Sequence, residues 1–450
     1  MFKKVTRGSV KLMERYLPDA FIFAVILTII TFVAAIPATG QSPLDMVKHW
    51  GGGVWGLLPF TMQMMLVLVL GNALAISGPV KRLLKKIASL AHSPGQAILL
   101  VTFVSGIACW LNWGFGLIVG ALLARELARA VPNVDYRLLI ASAYSGFVVW
   151  HAGFSGSIPL QVNSDLTQLQ TISEGLITEL IPVSRTIFST ANLIVTIAII
   201  VTLPFLNRAM HPDSENTVVV DPSALMDESE YKEPVDKTPA QKLENSPILS
   251  YVVVALAFTY LVYFFWSVKK VDLNLNIVNL IFLMLGVLLH GTPIRYVNAI
   301  NESIRGAGGV LIQFPFYAGI MGMMTGKNPE GVSLAITITN FFLGISTTRT
   351  FPLFTFWSAG LVNIFVPSGG GQWAVQGPIN MPAAIKLGVD PAVSAMAIAW
   401  GDAWTNMIQP FWALPALGIA GLQAKDIMGY CLMVLFYTGI LVSLAFLFLF

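Results

Sequence analysis

The chain has 450 residues, of which 56% are hydrophobic and only 11% charged, with a formal net charge of +3. A typical soluble domain carries about 25% charged residues, so this composition excludes an ordinary soluble enzyme. The charge balance gives no sign of nucleic-acid binding, and segments of about ten alternating residues, the mark of a membrane β-barrel, are absent. What remains is an all-α polytopic membrane protein.

The N-terminus is basic (Lys3, Lys4, Arg7, Lys11, Arg15) and leads into an apolar run over 20–36. That run is too long for the core of a signal peptide and further spans follow, so it reads as a retained first helix. Full spans are predicted at 20–37, 55–77, 138–160, 186–206, 247–266, 275–290, 305–325, 392–420 and 427–450. Between the second and third, 81–91 sets Lys81, Arg82, Lys85 and Lys86 largely opposite Leu83, Leu84, Ile87 and Leu90, the pattern of a helix lying at the membrane interface. The only long hydrophilic stretch, 207–246, holds nine acidic residues and reads as a cytoplasmic linker. Cys109 and Cys431 lie in apolar segments and read as small buried hydrophobes.

Two further apolar regions, 97–130 and 351–385, are broken near their middles by Asn112-Trp113-Gly114-Phe115-Gly116 and by Asn363 to Gln372, a stretch with Pro367 and three consecutive glycines. Unwound backbone at membrane depth is tolerated only inside protein or along a wet cavity. Each region therefore reads as a re-entrant hairpin. About forty residues after each comes another break, at His151–Ser157 and at Asp402–Asn406, inside predicted spans. A shift of 251 superposes the two sets: Asn112 falls on Asn363, Gly120 on Gly371 and Pro159 on Pro410. Five spans lie between equivalent elements, and an odd number inverts the second copy, giving an inverted-topology repeat. The predicted divisions are 1–206 (first repeat), 207–246 (linker), 247–270 (extra span) and 271–450 (second repeat). With the N-terminus inside, 19 of the 26 Lys and Arg fall on the cytoplasmic side; the outward pair Lys269-Lys270 runs against the trend.

Paired breaks in two halves point to a transporter's binding site. Half-helix N-termini present free N–H groups that suit a carboxylate, and glycines let a ligand approach the backbone. The candidate substrate-binding residues are Asn112, Trp113, Gly114 and Gly116 of the first hairpin and Ser155, Gly156 and Ser157 of the first broken helix. From the second half they are Asn363, Ser368, Gly369, Gly370, Gly371 and Gln372, with Thr405, Asn406 and Gln409. Asp402, an acid within an apolar span, is the candidate coupling group, with His151 as a second. Gln63 and Gln313 read as glue between helices. Trp110, Trp113, Trp373, Trp400, Trp404 and Trp412 either line an apolar pocket or pack. No Walker loop, HExxH, CxxC or dinucleotide fingerprint is present, so no cofactor and no enzymatic activity is expected. Any coupling would come from H+ or Na+.

Tyr16-Leu17-Pro18-Asp19, Asn112-Trp113-Gly114-Phe115-Gly116, Gly153-Phe154-Ser155-Gly156-Ser157, Gln313 to Ile320, Val366 to Gly371 and Gln409 to Pro415 together resemble the bacterial short-chain fatty acid transporter family. The resemblance implies uptake of short-chain monocarboxylates such as butyrate or acetoacetate across the bacterial inner membrane, two hairpins, two broken helices and often a homodimer. A dicarboxylate carrier is the alternative. The lack of an intramembrane Arg near the tips favours a monoanion.

Overall fold

The computed structural model describes residues 2–220, 225, 238–268 and 274–450. Much of the hydrophilic stretch, and the pair Lys269-Lys270, lie outside them. The regular structure of the described residues is helical throughout. Seven helices are long and apolar enough to cross a membrane: Ala20–Thr39, Leu58–Ala75, Pro94–Leu111, Tyr136–Ser164, Thr190–Ala209, Pro247–Ser267 and Ala424–Phe448. The bent pair Pro293–Ser303 and Gly308–Thr325 makes an eighth if counted as one span.

Six of the nine spans read from hydropathy are among the seven, which also include the hairpin arm Pro94–Leu111; the span read at 305–325 falls in the bent pair, and two others differ for physical reasons. The run at 275–290 forms a 16-residue helix, Leu275–His290, about 24 Å long at 1.5 Å per residue and short of a full hydrocarbon core. The run at 392–420 divides into Pro391–Thr405 and Pro410–Ala420, because Pro410 has no N–H to continue the ladder.

Both apolar regions with central breaks are helical hairpins. In the first, Pro94–Leu111 and Trp113–Ala130 are separated by one extended residue, Asn112 (φ −154°, ψ 120°). Asn112 Oδ1 accepts the N–H of Phe115 at 2.9 Å and so caps the second arm. The arms lie so close that a Cβ on Gly116 would sit 2.4 Å from the Cys109 nitrogen. In the second hairpin, Phe351–Asn363 and Gly369–Lys386 are joined by five residues, and Ser368 caps the second arm by accepting the N–H of Gly371.

The two broken helices pack beside the hairpins. The first runs through Tyr136–Ser145, tightens into a 3-10 segment over Gly146–Ala152, breaks, and resumes at Ser157–Ser164. Its break is glycine-lined because other backbone passes there: a Cβ on Gly153 would lie 2.1 Å from the Trp110 carbonyl oxygen. The freed backbone groups are satisfied from neighbouring elements, as buried backbone requires. Phe154 N–H donates to the Trp110 carbonyl, and Trp110 Nε1 and Asn192 Nδ2 both donate to the Ala152 carbonyl.

A second group of helices stands beside this core. Leu58–Ala75 packs on Leu275–His290, and Gly308–Thr325 packs on Ala20–Thr39 and Pro43–Gly53. The interface helix read at 81–91 is present as Gly78–Ala88, with Leu84 and Ala88 buried. The N-terminal helix Phe2–Tyr16 was not expected from the sequence. It lies on Ala424–Phe448, where Ser9 Oγ donates to the Gly429 carbonyl at 2.6 Å. The start of the hydrophilic stretch is also tied down. Val218 N–H donates to the buried Asp135 carboxylate, and Tyr136 N–H donates to the Val218 carbonyl.

Candidate substrate and coupling site

The hairpin tips and the breaks converge. His151 and Asp402, one from each broken helix, are fully buried and meet with Nδ1 and Oδ1 at 3.2 Å. They are 251 residues apart, the same shift that superposes the two halves. Two equivalent residues touch only where an axis relating the copies passes between them, by the logic of any two-fold contact. The sequence holds this signal in full, since 151 shifted by 251 is 402.

The hydrogen bonds fix the tautomer of the pair. Ile158 N–H donates to His151 Nε2 at 3.1 Å, so that nitrogen carries a lone pair. The ring proton therefore resides on Nδ1 and is donated to Asp402 Oδ1. Asn406 Nδ2 also reaches Oδ1, at 3.5 Å. The other carboxylate oxygen, Asp402 Oδ2, is buried without a hydrogen-bond partner among the described residues. An unfilled acceptor on a buried carboxylate is costly.

Around this pair the second hairpin supplies structure. Asn363 Nδ2 donates to the Asp402 carbonyl, Thr405 Oγ1 and Asn406 Oδ1 within 3.0 Å. Thr405 Oγ1 in turn donates to the Gly360 carbonyl at 2.8 Å. Gly369 lies against the His151 ring: a Cβ there would sit 2.7 Å from Cε1 and 3.3 Å from the Ser157 Cβ. Gly370 faces Gln161 of the same broken helix. The second hairpin's tip thus rests on the first half's broken helix. The first hairpin reciprocates, with Trp113 against Trp412 of the second half at 5.0 Å between ring centroids.

The tips differ in what they leave open. Trp113 N–H is taken by Ser155 Oγ at 3.0 Å. Among the described residues, no acceptor takes the N–H groups of Gly369 and Gly370. Ser155, Ser157, Ser368, Gly370 and Gly371 keep partial exposure, while His151, Asp402, Thr405, Asn406 and Gln409 are buried. Both amide atoms of Gln409 lack hydrogen-bond partners among the described residues. Gln372 turns back into its own hairpin, where Nε2 donates to the Ala359 carbonyl and to Gln376 Oε1. Gly114 sits near Asn112 Oδ1 and Val67, and Gly156 lies under the His151 carbonyl.

The tryptophans divide into two groups. Trp110, Trp400 and Trp404 brace the breaks through Nε1 donation to Ala152, Asn192 and Leu435. Trp113, Trp150 and Trp412 form an aromatic wall with Phe147. Gln63 bonds Asn276 across helices, whereas Gln313 Oε1 has no hydrogen-bond partner among the described residues. Sequence reading missed Tyr144, whose hydroxyl donates to the Asn406 carbonyl at 2.5 Å and ties the two broken helices together. No spacing or composition signal marks it.

Hairpins and broken helices gathered around a buried ionisable pair, in a chain with several apolar spans, define a multi-pass membrane transporter. The chain belongs to the short-chain fatty acid transporter family, whose description, Short chain fatty acid transporter, matches residues 1–449. A protein of Escherichia coli strain K12, provisionally named a short-chain fatty acid transporter, is 48% identical over 98% of both chains. One of Haemophilus influenzae with the same provisional name is 45% identical over 98% of both. The solved YdaH transporter of Alcanivorax borkumensis aligns loosely, at 16% identity and a TM-score of 0.42, over 95% of this chain and 98% of that one.

Proposed function

We propose that this protein is a secondary carrier of short-chain monocarboxylates, of the butyrate or acetoacetate type, across the bacterial inner membrane, with its N-terminus in the cytoplasm and one H+ moved with each anion. The observation that carries this reading is the buried His151–Asp402 pair with its unfilled Oδ2, beside the open N–H groups of Gly369 and Gly370.

An ionised Asp402 repels an incoming carboxylate in a low-dielectric site. A proton on Oδ2 removes that repulsion, because Oδ1 is already engaged by His151 and Asn406. The substrate carboxylate then lies on the positive end of the helix Gly369–Lys386. Proton and anion favour each other's binding, which is the thermodynamic content of symport. The inverted repeat supplies the alternation of access, with the shared pair on the axis between the copies.

The test is uptake of labelled butyrate into proteoliposomes with pH and Na+ gradients imposed separately. Saturable uptake driven by an inward proton gradient supports the proposal. Uptake driven by Na+ alone reassigns the coupling ion, and robust succinate uptake with no monocarboxylate uptake overturns the substrate class in favour of a dicarboxylate carrier.

A further inference from the structure

The N-terminal helix Phe2–Tyr16 uses little of its surface to hold itself in place. Thr6 and Val10 are buried against Ala424–Phe448, where Gly429 has no room for a Cβ beside Val10. A second apolar stripe is left bare: Phe2, Val5, Leu12 and Tyr16 are 37%, 51%, 50% and 68% exposed. These four lie within about 80° of one another at 100° per residue. On the remaining face stand Lys3, Lys4, Arg7, Lys11 and Arg15, against a single acid, Glu14.

The helix cannot leave the membrane surface. Its last residue precedes the apolar helix Ala20–Thr39 by three residues, a reach of about 10–14 Å for extended chain. At its middle it is fastened to Gly429, the sixth residue of the apolar helix Ala424–Phe448, so it lies about 9 Å from that helix's end. A bare apolar stripe beside a basic face, pinned at that level, is the arrangement of an interfacial helix.

Behind it is a cleft of about 100 Å3, lined by Lys3, Arg7 and Lys11 on the helix, Asp213 and Asn216 of the hydrophilic stretch, and Tyr430 among others. Two of its cations share a single internal counter-charge, since Asp213 pairs with both Lys3 and Arg7. Glu14, also in the wall, pairs with Arg137. Lys11 has no hydrogen-bond or ion-pair partner among the described residues. The cleft therefore offers one uncommitted cation and two shared ones to a negative group arriving from the membrane face.

We propose that the helix Phe2–Tyr16 and the cleft behind it form a binding site for the phosphate-bearing headgroup of an anionic phospholipid. Lys11 supplies the free charge, Arg7 and Lys3 the shared ones, and Phe2, Val5, Leu12 and Tyr16 rest in the upper acyl layer. The site rests on reading this end of the bundle as a membrane face, but not on the transported substrate or on the coupling ion.

The experiment titrates detergent-purified full-length protein with phosphatidylglycerol, with phosphatidylcholine and with inorganic phosphate, and follows Tm without any transport substrate. Phosphatidylglycerol alone raises Tm, in a saturable manner. Lys11→Glu weakens that binding at least about fivefold, the scale of one surface charge near an anionic lipid. Lys85→Glu, on the other basic helix, leaves it unchanged. Equal shifts with phosphatidylcholine, an equal shift with inorganic phosphate, or an unaltered titration for a folded Lys11→Glu variant each overturn the proposal. Because Tm is read without substrate, a failed lipid titration leaves the transport reading untouched, and failed butyrate uptake leaves the lipid site untouched.

Discussion

The two hairpins are built on one plan and finished differently. In the first, a single residue, Asn112, turns the chain; its side chain takes the Phe115 N–H and Ser155 the Trp113 N–H, and among the described residues no acceptor takes that of Gly114. In the second, five residues separate the arms and two N–H groups at the helix start stay open. The arms of the first are fastened by close backbone contact at Gly116, and those of the second by amide side chains, Gln372 and Gln376. Duplication thus supplied two copies of a scaffold. Divergence left one open N–H at the first tip and two at the second, beside the His151–Asp402 pair, which is where a ligand gains most by binding.

Unequal effects of equivalent substitutions test this division. The largest is expected at the pair on the axis. On the proposed mechanism Asp402→Asn removes the carboxylate that takes the coupling proton and leaves the His151 imidazole without its carboxylate partner. Gradient-driven accumulation should fall by about a hundredfold or more, the scale of a broken buried charge pair, while exchange of internal for external substrate persists. His151→Ala should cost roughly tenfold and alter the pH profile of uptake, because Asp402 Oδ1 loses its principal donor but keeps Asn406. Equal losses from both substitutions, with unaltered pH dependence, would remove the asymmetry from the mechanism.

Glycine substitutions separate site from scaffold. A methyl on Gly369 meets the edge of the His151 ring, which can shift. Gly369→Ala should raise the KM for substrate by about tenfold, the consequence of roughly 1–3 kcal/mol of overpacking at the tip, with little loss of folded protein. The methyl of Gly116→Ala meets the Cys109 backbone nitrogen at 2.4 Å, which cannot shift without parting the arms. That variant should lower Tm and yield while leaving KM near wild type in the protein that folds. A smaller effect is expected from Ser155→Ala, which strips the acceptor from Trp113 N–H. It should reduce stability by about 1 kcal/mol and slow uptake only slightly, as read by thermal denaturation beside initial rates.

Most of the architecture was legible because it is written in patterns that a membrane enforces. Apolar run lengths gave the spans, and glycines with Asn112 or Pro367 marked the turns. What escaped was anything decided by packing. Leu334–Gly344 and Pro43–Gly53 are too short to stand out as spans, yet both are helical against larger neighbours. Gln372 is polar and beside the tip, but its amide finds better partners between the arms. The closeness of His151 to Asp402 was implied by the repeat, whereas the donation from Ile158 N–H that sets the tautomer depends on the exact course of the break. The N-terminal helix was hidden because its basic residues were counted only as a topology signal, although its apolar residues at positions 2, 5, 12 and 16 lie on one side.

The smallest predicted effect contrasts two aspartates. Asp402 is sealed from solvent, while Asp213 is about half exposed and bonds Lys3 at 2.8 Å. That hydrogen bond, with the charges of Lys3, Arg7 and His211, holds the Asp213 carboxyl below its ordinary value of 3.8. A depressed folded value means that the contact stabilises the fold above that ordinary value and that the contribution is lost as pH falls through the folded one. Solvent and salt screen a pair this exposed, so the loss is small. Hydrogen exchange over residues 2–16 should speed up as pH is lowered below about 4, after correction for the intrinsic rate. Asp213→Asn should show the faster exchange at neutral pH and no further acid response. The proposed mechanism places butyrate uptake at neutral pH on the buried pair and not on this one, so Asp213→Asn should leave its initial rate near wild type. A strong uptake defect in that variant would mean that the surface contact at the membrane face and the sealed pair on the axis are coupled, and that the labour is not divided between the halves in the way their hydrogen bonds indicate.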